Sequence, residues 1–202
     1  MHKILTAIIK RWGTKTAKQR VWNSEYESGK WTYRRYGQNN EHREPIYGFL
    51  EKYGNGGSIL DLGCGSGMTV LEMKNTFREY VGVDVSDIAI QEARIAISKE
   101  VSRAERVRFF TSDIVTFVPD IQFSIILFRE SIYYVPRHQI KGMVDRFSSH
   151  LRSDGVFIVR LCHREKYKGI VSLLEANLRI IEKYTPEDST LVIIVCSPDK
   201  NF

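Results

Sequence analysis

The chain has 202 residues, 43% hydrophobic and 27% charged. That suits one folded domain with a full core and excludes a disordered chain. Its three cysteines, Cys64, Cys162 and Cys196, are too few for a disulfide scaffold, and none forms the C-x-x-C pair of a structural zinc site. The expectation is a reducing, cytoplasmic setting and no metal.

Net charge is +6, and its placement matters more than its size. Residues 1–20 hold Lys3, Lys10, Arg11, Lys15, Lys18 and Arg20 and no acid, so the rest of the chain balances to zero. Ile4, Leu5, Ile8, Ile9 and Trp12 recur at helical spacing. The apolar run is too short for a membrane span or a signal peptide. A short basic amphipathic helix packs on its own domain or a neighbouring subunit, lies peripherally on an anionic membrane, or contacts nucleic acid. Packing is the commoner use. A neutral body argues against nucleic acid, which calls for a broad basic face.

Val21 to Tyr36 is polar and aromatic, with Trp22, Tyr26, Trp31, Tyr33 and Tyr36. We divide the chain there, into a basic N-terminal segment with an aromatic lid (1–40) and a catalytic domain (41–202). A helix over about 41–53 runs into the breaker Gly54-Asn55-Gly56-Gly57. Strand and helix then alternate. Strands are predicted at 58–62, 80–85, 107–111, 123–128 and 156–162. Helices are predicted at 68–75, 86–99, 136–150 and 167–177, with a turn at 152–155. Two last apolar runs, 179–184 and 191–196, have no room for a helix between them and pair antiparallel. The pattern implies an open, mostly parallel α/β sheet with helices on both faces.

The first strand runs into Gly63-Cys64-Gly65-Ser66-Gly67, and a helix follows. Glycines there let the backbone turn sharply and let a ligand approach without a Cβ in the way. Asp84 ends the second strand, 21 residues after Gly63. A carboxylate at that place can accept both hydroxyls of a ribose. Asp113, just past the third strand, reaches the adenine side of the same cleft. The third glycine comes one residue early for the dinucleotide pattern, and no P-loop Lys-Ser/Thr is present.

On Asp61-Leu62-Gly63-Cys64-Gly65-Ser66-Gly67, Val81-Gly82-Val83-Asp84-Val85-Ser86, Ser112-Asp113-Ile114, Phe123-Ser124-Ile125-Ile126-Leu127 and Leu151-Arg152-Ser153-Asp154-Gly155-Val156, the chain resembles the class I S-adenosylmethionine-dependent methyltransferases. The resemblance spans about residues 58–197. It implies a Rossmann-like, seven-stranded sheet whose C-terminal strand is antiparallel. It also implies that S-adenosyl-L-methionine is bound by Asp61, Gly63, Cys64, Gly65 and Gly67 at its methionine end. Asp84 then takes the ribose, Val85 lies beside the adenine, Asp113 meets the adenine amino group with Ile114 packed nearby, and Arg129 is added to the cofactor set. Ser124 stands where the family often has Asp.

Acceptor groups belong at the strand C-termini. The fourth strand leads into Arg129-Glu130-Ser131-Ile132-Tyr133-Tyr134, which lacks the N-P-P-Y of enzymes acting on base or amide nitrogens. Glu130 and His163, the latter just past the fifth strand, are the candidate bases. Trp31, Tyr33 and Tyr134 are the candidate acceptor-binding residues. Ser28-Gly29-Lys30-Trp31-Thr32-Tyr33 looks like the lid of small-molecule methyltransferases, in the branch that includes nodulation-factor N-methyltransferases. The reading that follows is methyl transfer to an O or N atom of a small molecule or glycan. The alternatives are an RNA or protein methyltransferase recruited by the basic N-terminus, and a non-catalytic cofactor-binding accessory protein.

Overall fold

The computed structural model describes residues 2–31, 45–74 and 76–198. The expected boundary near residue 40 falls outside them, as does Tyr33. Two helices open the chain, α1 (His2–Trp12) and α2 (Lys15–Glu27). Gly13 and Thr14 separate them, and the Thr14 hydroxyl caps α2 by accepting from the Ala17 N–H at 3.3 Å. Then come α3 (Pro45–Gly54), β1 (Ser58–Leu62), α4 (Met68–Glu72), β2 (Glu79–Asp84), α5 (Asp87–Ile97), β3 (Val107–Thr111), β4 (Phe123–Arg129), α6 (Arg137–Ser148), β5 (Leu151–Leu161), α7 (Lys168–Asn177), β6 (Arg179–Tyr184) and β7 (Val192–Ser197).

The seven strands form one sheet in the order β3-β2-β1-β4-β5-β7-β6. Adjacent strands from β3 to β5 pair parallel, and β7 runs antiparallel to both its neighbours, β5 and β6. Alternation along each strand supplies two cores. Leu60, Ile126, Phe128, Phe157 and Val159 face α6 and α7, where Ile140, Phe147 and Leu174 meet them. Ile59, Ile125, Leu127 and Ile158 face α3, α4 and α5, where Leu50, Val70 and Ile90 meet them. Strands buried on both faces read as continuous apolar runs, as β4 does.

Two boundaries differ from the sequence reading by more than two residues. Residues 152–155, read as a turn, lie within β5. Leu151 pairs with Phe123 and Val156 with Ile125, so β5 carries extra residues across a register shift. The helix after the glycine loop stops at Glu72, because Met73 is extended (φ −71°, ψ 156°).

Candidate active site

The parallel strands put the ends of β1, β2, β3 and β4 along one rim of the sheet. Gly63 (φ +85°), Gly65 (+55°) and Gly67 (+79°) all take left-handed backbone in the turn between β1 and α4. A Cβ on Gly63 would stand 2.4 Å from the Ser131 Cβ, and one on Gly65 would stand 2.7 Å from the Tyr26 hydroxyl. The Gly63 and Cys64 N–H groups donate to the Val83 carbonyl at 2.7 and 3.0 Å, which seats the loop on β2.

Asp84 lies at the tip of β2. One carboxylate oxygen accepts from the Gly65 N–H at 3.0 Å, and the other from the Ser86 N–H at 2.9 Å. Burial pushes its pKa up to about 6, against the opposing pull of those backbone donors. Asp61 is fully buried behind the loop and accepts from the Tyr80 hydroxyl at 2.5 Å. Burial raises its pKa as well.

A cavity of about 570 Å³ opens over the rim. That volume lies in the range of small-molecule and cofactor sites, roughly 300–1,000 Å³. Of the residues predicted for the site, Gly63, Cys64, Gly65, Asp84, Val85, Asp113, Ile114, Arg129, Glu130, Trp31 and Tyr134 line it. Asp61, Gly67 and His163 are not among its lining residues. Asp61 and Gly67 shape the loop from behind. His163 is exposed, and its Nδ1 lies 3.1 Å from the Thr190 hydroxyl. That hydroxyl donates to the Cys162 carbonyl, so it accepts from His163.

Glu130 sits just past β4 with φ +59°, a conformation that is costly for a residue with a Cβ. Its backbone N–H donates to the Arg160 carbonyl at 3.1 Å. Its carboxylate pairs with the Arg160 guanidinium and accepts from the Tyr133 hydroxyl at 3.1 Å. Arg129 donates to the Tyr47 hydroxyl at 3.0 Å and the Thr69 hydroxyl at 3.3 Å.

The roof of the cavity comes from the N-terminal helices. Asn23 of α2 donates to Asp87 at 2.6 Å and accepts from the Ser86 hydroxyl at 2.8 Å. Lys18 Nζ pairs with Asp113 at 2.8 Å, while the other Asp113 oxygen accepts from the Val115 N–H. Trp22 packs edge-on against Tyr134, with ring centroids 4.8 Å apart, and lies 5.9 Å from Trp31. Lys10, Lys18 and Tyr26 are lining residues that sequence reasoning missed. Both lysines stand in a basic tract that reads as solvent-facing, and their partners, Glu25 and Asp113, come from other elements.

A methyltransferase-domain model matches residues 59–155, from β1 into the extra residues of β5. Over those residues the chain is similar to methyltransferase domains. The seven strands, the antiparallel C-terminal strand and the glycine loop are those the resemblance implied. The (S)-coclaurine N-methyltransferase of Papaver somniferum is 27% identical over 111 residues, which are 54% of this chain and 31% of that protein. The chain thus spans about a third of the length of that curated relative. Among solved structures, the chain superposes on the N-methyltransferase NodS of Bradyrhizobium japonicum WM9, in complex with S-adenosyl-L-homocysteine, with a TM-score of 0.65 and 17% identity over 82% of this chain and 91% of that one. It superposes on the 1,6-didemethyltoxoflavin N1-methyltransferase of Burkholderia thailandensis with a TM-score of 0.69 and 16% identity over 92% and 90%.

Proposed function

We propose that the protein transfers a methyl group from S-adenosyl-L-methionine to an O or N atom of a small molecule or glycan. The observation that carries this reading is Asp84, held by the Gly65 and Ser86 N–H groups and facing one cavity with an aromatic roof. The residues present fit the cofactor. The left-handed loop presents the bare Gly65 backbone to the cavity, where a Cβ would crowd the Tyr26 hydroxyl, and Asp84 supplies a carboxylate for paired hydroxyls. When bound, the cofactor supplies an electrophilic methyl on a sulfonium.

The chain's own residues do the rest. Gly63, Cys64 and Gly65 hold the amino-acid end, and the Arg129 guanidinium suits its carboxylate. Val85 and Ile114 flank the adenine, with Asp113 at its amino edge. Trp31 and Tyr134 shape the acceptor half and exclude water. Glu130 meets the acceptor. Arg160 and Tyr133 fix its carboxylate, which accepts from an O–H or N–H of the acceptor. Alignment of the acceptor supplies most of the rate enhancement.

The same reading extends to where the protein works, in the cytoplasm with peripheral contact to an anionic membrane. Ile4, Leu5, Ile8 and Trp12 are more than half exposed on α1, and Lys15 and Arg20 of α2 are exposed as well. Among the described residues, no helix is long and apolar enough to cross a membrane. Lys10 and Lys18 turn inward to Glu25 and Asp113, which takes two cations from the face that RNA or an acidic protein would need.

The test is calorimetric titration with S-adenosyl-L-homocysteine, then mass spectrometry of products from a panel of amines, phenols and glycans. Binding with a product 14 Da heavier supports the proposal. Absence of binding sinks it, and binding without any product favours an accessory protein.

A further inference from the structure

Lys10 reaches from α1 into the acceptor half of the cavity. Its ammonium lies 3.7 Å from the centroid of the Trp22 ring, 5.7 Å from Tyr134 and 6.0 Å from Trp31. Glu25 pairs with it at 2.6 Å. The residue is only 8% exposed. Burial lowers the Lys10 pKa against the pull of Glu25, so this placement works against the charge it carries. Three aromatic rings and one carboxylate around a single ammonium are what recognition of an organic cation requires.

We propose that this aromatic cage is the acceptor's binding subsite, that the acceptor is a cationic amine, and that Lys10 is its tethered stand-in. The inference rests on the methyltransferase reading and narrows it. The faces of Trp22, Trp31 and Tyr134 attract positive charge, so an ammonium gains more there than a hydroxyl of the same shape. Lys10 holds the cage closed on itself until the amine displaces it. Its flexible stem, on a helix joined to α2 through Gly13 and Thr14, allows withdrawal without disturbing the Lys18–Asp113 pair on α2.

The chemistry balances. The bound amine gives up one proton to Glu130 or water. Its nitrogen lone pair then forms the new N–C bond as the methyl–sulfur bond breaks with its pair going to sulfur. Positive charge passes from sulfur to nitrogen, so the product stays a cation that the rings can hold.

The test uses the full chain saturated with S-adenosyl-L-homocysteine, titrated with choline and with its neutral carbon isostere 3,3-dimethylbutan-1-ol, and read by tryptophan fluorescence and calorimetry. Lys10→Met should bind choline at least about tenfold more tightly than the wild type, with little gain for the isostere. Lys10→Arg keeps the cation and should behave as the wild type. Adding Trp22→Leu to Lys10→Met should remove the gain. Where Lys10→Met lowers the melting temperature, Lys10→Gln keeps a donor for Glu25 without the charge and carries the same expectation. Equal choline affinity in the wild type and both neutral variants overturns the proposal, as does equal preference for the isostere. Failure of the wild type to bind S-adenosyl-L-homocysteine overturns the methyltransferase reading instead, and the two failures are told apart in the same samples.

Discussion

Lys18 of α2 and Asp113 just past β3, 95 positions apart in sequence, form a 2.8 Å ion pair in which each side chain is 11% exposed. The pair bolts the roof of the cavity to the strand rim at the place assigned to the adenine. Roof closure and the adenine contact therefore share one carboxylate. Removing one partner of a buried pair leaves a charge without compensation and costs about 3–5 kcal/mol. Lys18→Met should lower stability by about that amount in urea denaturation, and Lys18→Met with Asp113→Asn should recover most of it. An unchanged urea midpoint in the single variant would show that the pair does not hold the roof.

The Asp84 carboxylate should carry a large share of cofactor affinity. Asp84→Ala is expected to weaken S-adenosyl-L-homocysteine binding by about 1.5–3 kcal/mol, the usual effect of losing hydrogen bonds to a charged group. Calorimetry checks this. Wild-type affinity in the variant would remove the ribose assignment.

The raised pKa of Asp84 sets a pH dependence. Above about 6 the carboxylate is ionised and accepts from the ribose hydroxyls. As pH falls through that value it takes a proton, and binding should weaken by up to about tenfold for each further unit. Titrations between pH 7.5 and 5 should show this loss in the wild type, and Asp84→Asn should flatten the profile. A wild-type profile that is flat in this window would place the titration elsewhere.

Gly65 should accept no side chain. Its φ of +55° is strained for any residue with a Cβ, and that atom would meet the Tyr26 hydroxyl at 2.7 Å. Gly65→Val is expected to lose cofactor binding while its circular dichroism stays native. Retained affinity would show that the ligand does not approach this loop.

The exposed stripe of α1 should direct membrane contact. The paired change Leu5→Ser with Ile8→Ser touches neither the cavity nor the ion pairs. It should abolish sedimentation with vesicles containing 30% phosphatidylserine, used here as about a third anionic lipid, and spare cofactor binding. If the wild type stays in the supernatant at low salt, α1 has no membrane role.

The sheet was legible because doubly covered strands leave runs such as Ile125-Ile126-Leu127-Phe128, and because the turn after β1 needs glycine at left-handed positions. Asp84 and Asp113 were legible for the same reason: strand ends fix where they stand. Local pattern carried no sign of the extra residues in β5, since Arg152-Ser153-Asp154-Gly155 has the composition of a turn and its inclusion depends on pairing with β4. Lys10 and Lys18 were opaque for a related reason. A lysine's burial depends on a partner carboxylate and on rings supplied by other elements, and hydropathy along one helix does not report them. His163 was placed by strand order alone, which sets position along the rim but not whether a side chain turns toward the cavity.

The placement of β7 between β5 and β6 bears on how the chain matures as it leaves the ribosome. The glycine loop, Asp84 and the roof helices are synthesised long before Val192–Ser197, yet that late segment is the one that seals the free edge of β5 and gives β6 its place in the sheet. Until it arrives, β5 presents unpaired backbone donors and acceptors that can recruit another chain. A nascent chain stalled before Leu191 would carry most of the cavity and still be an aggregation hazard.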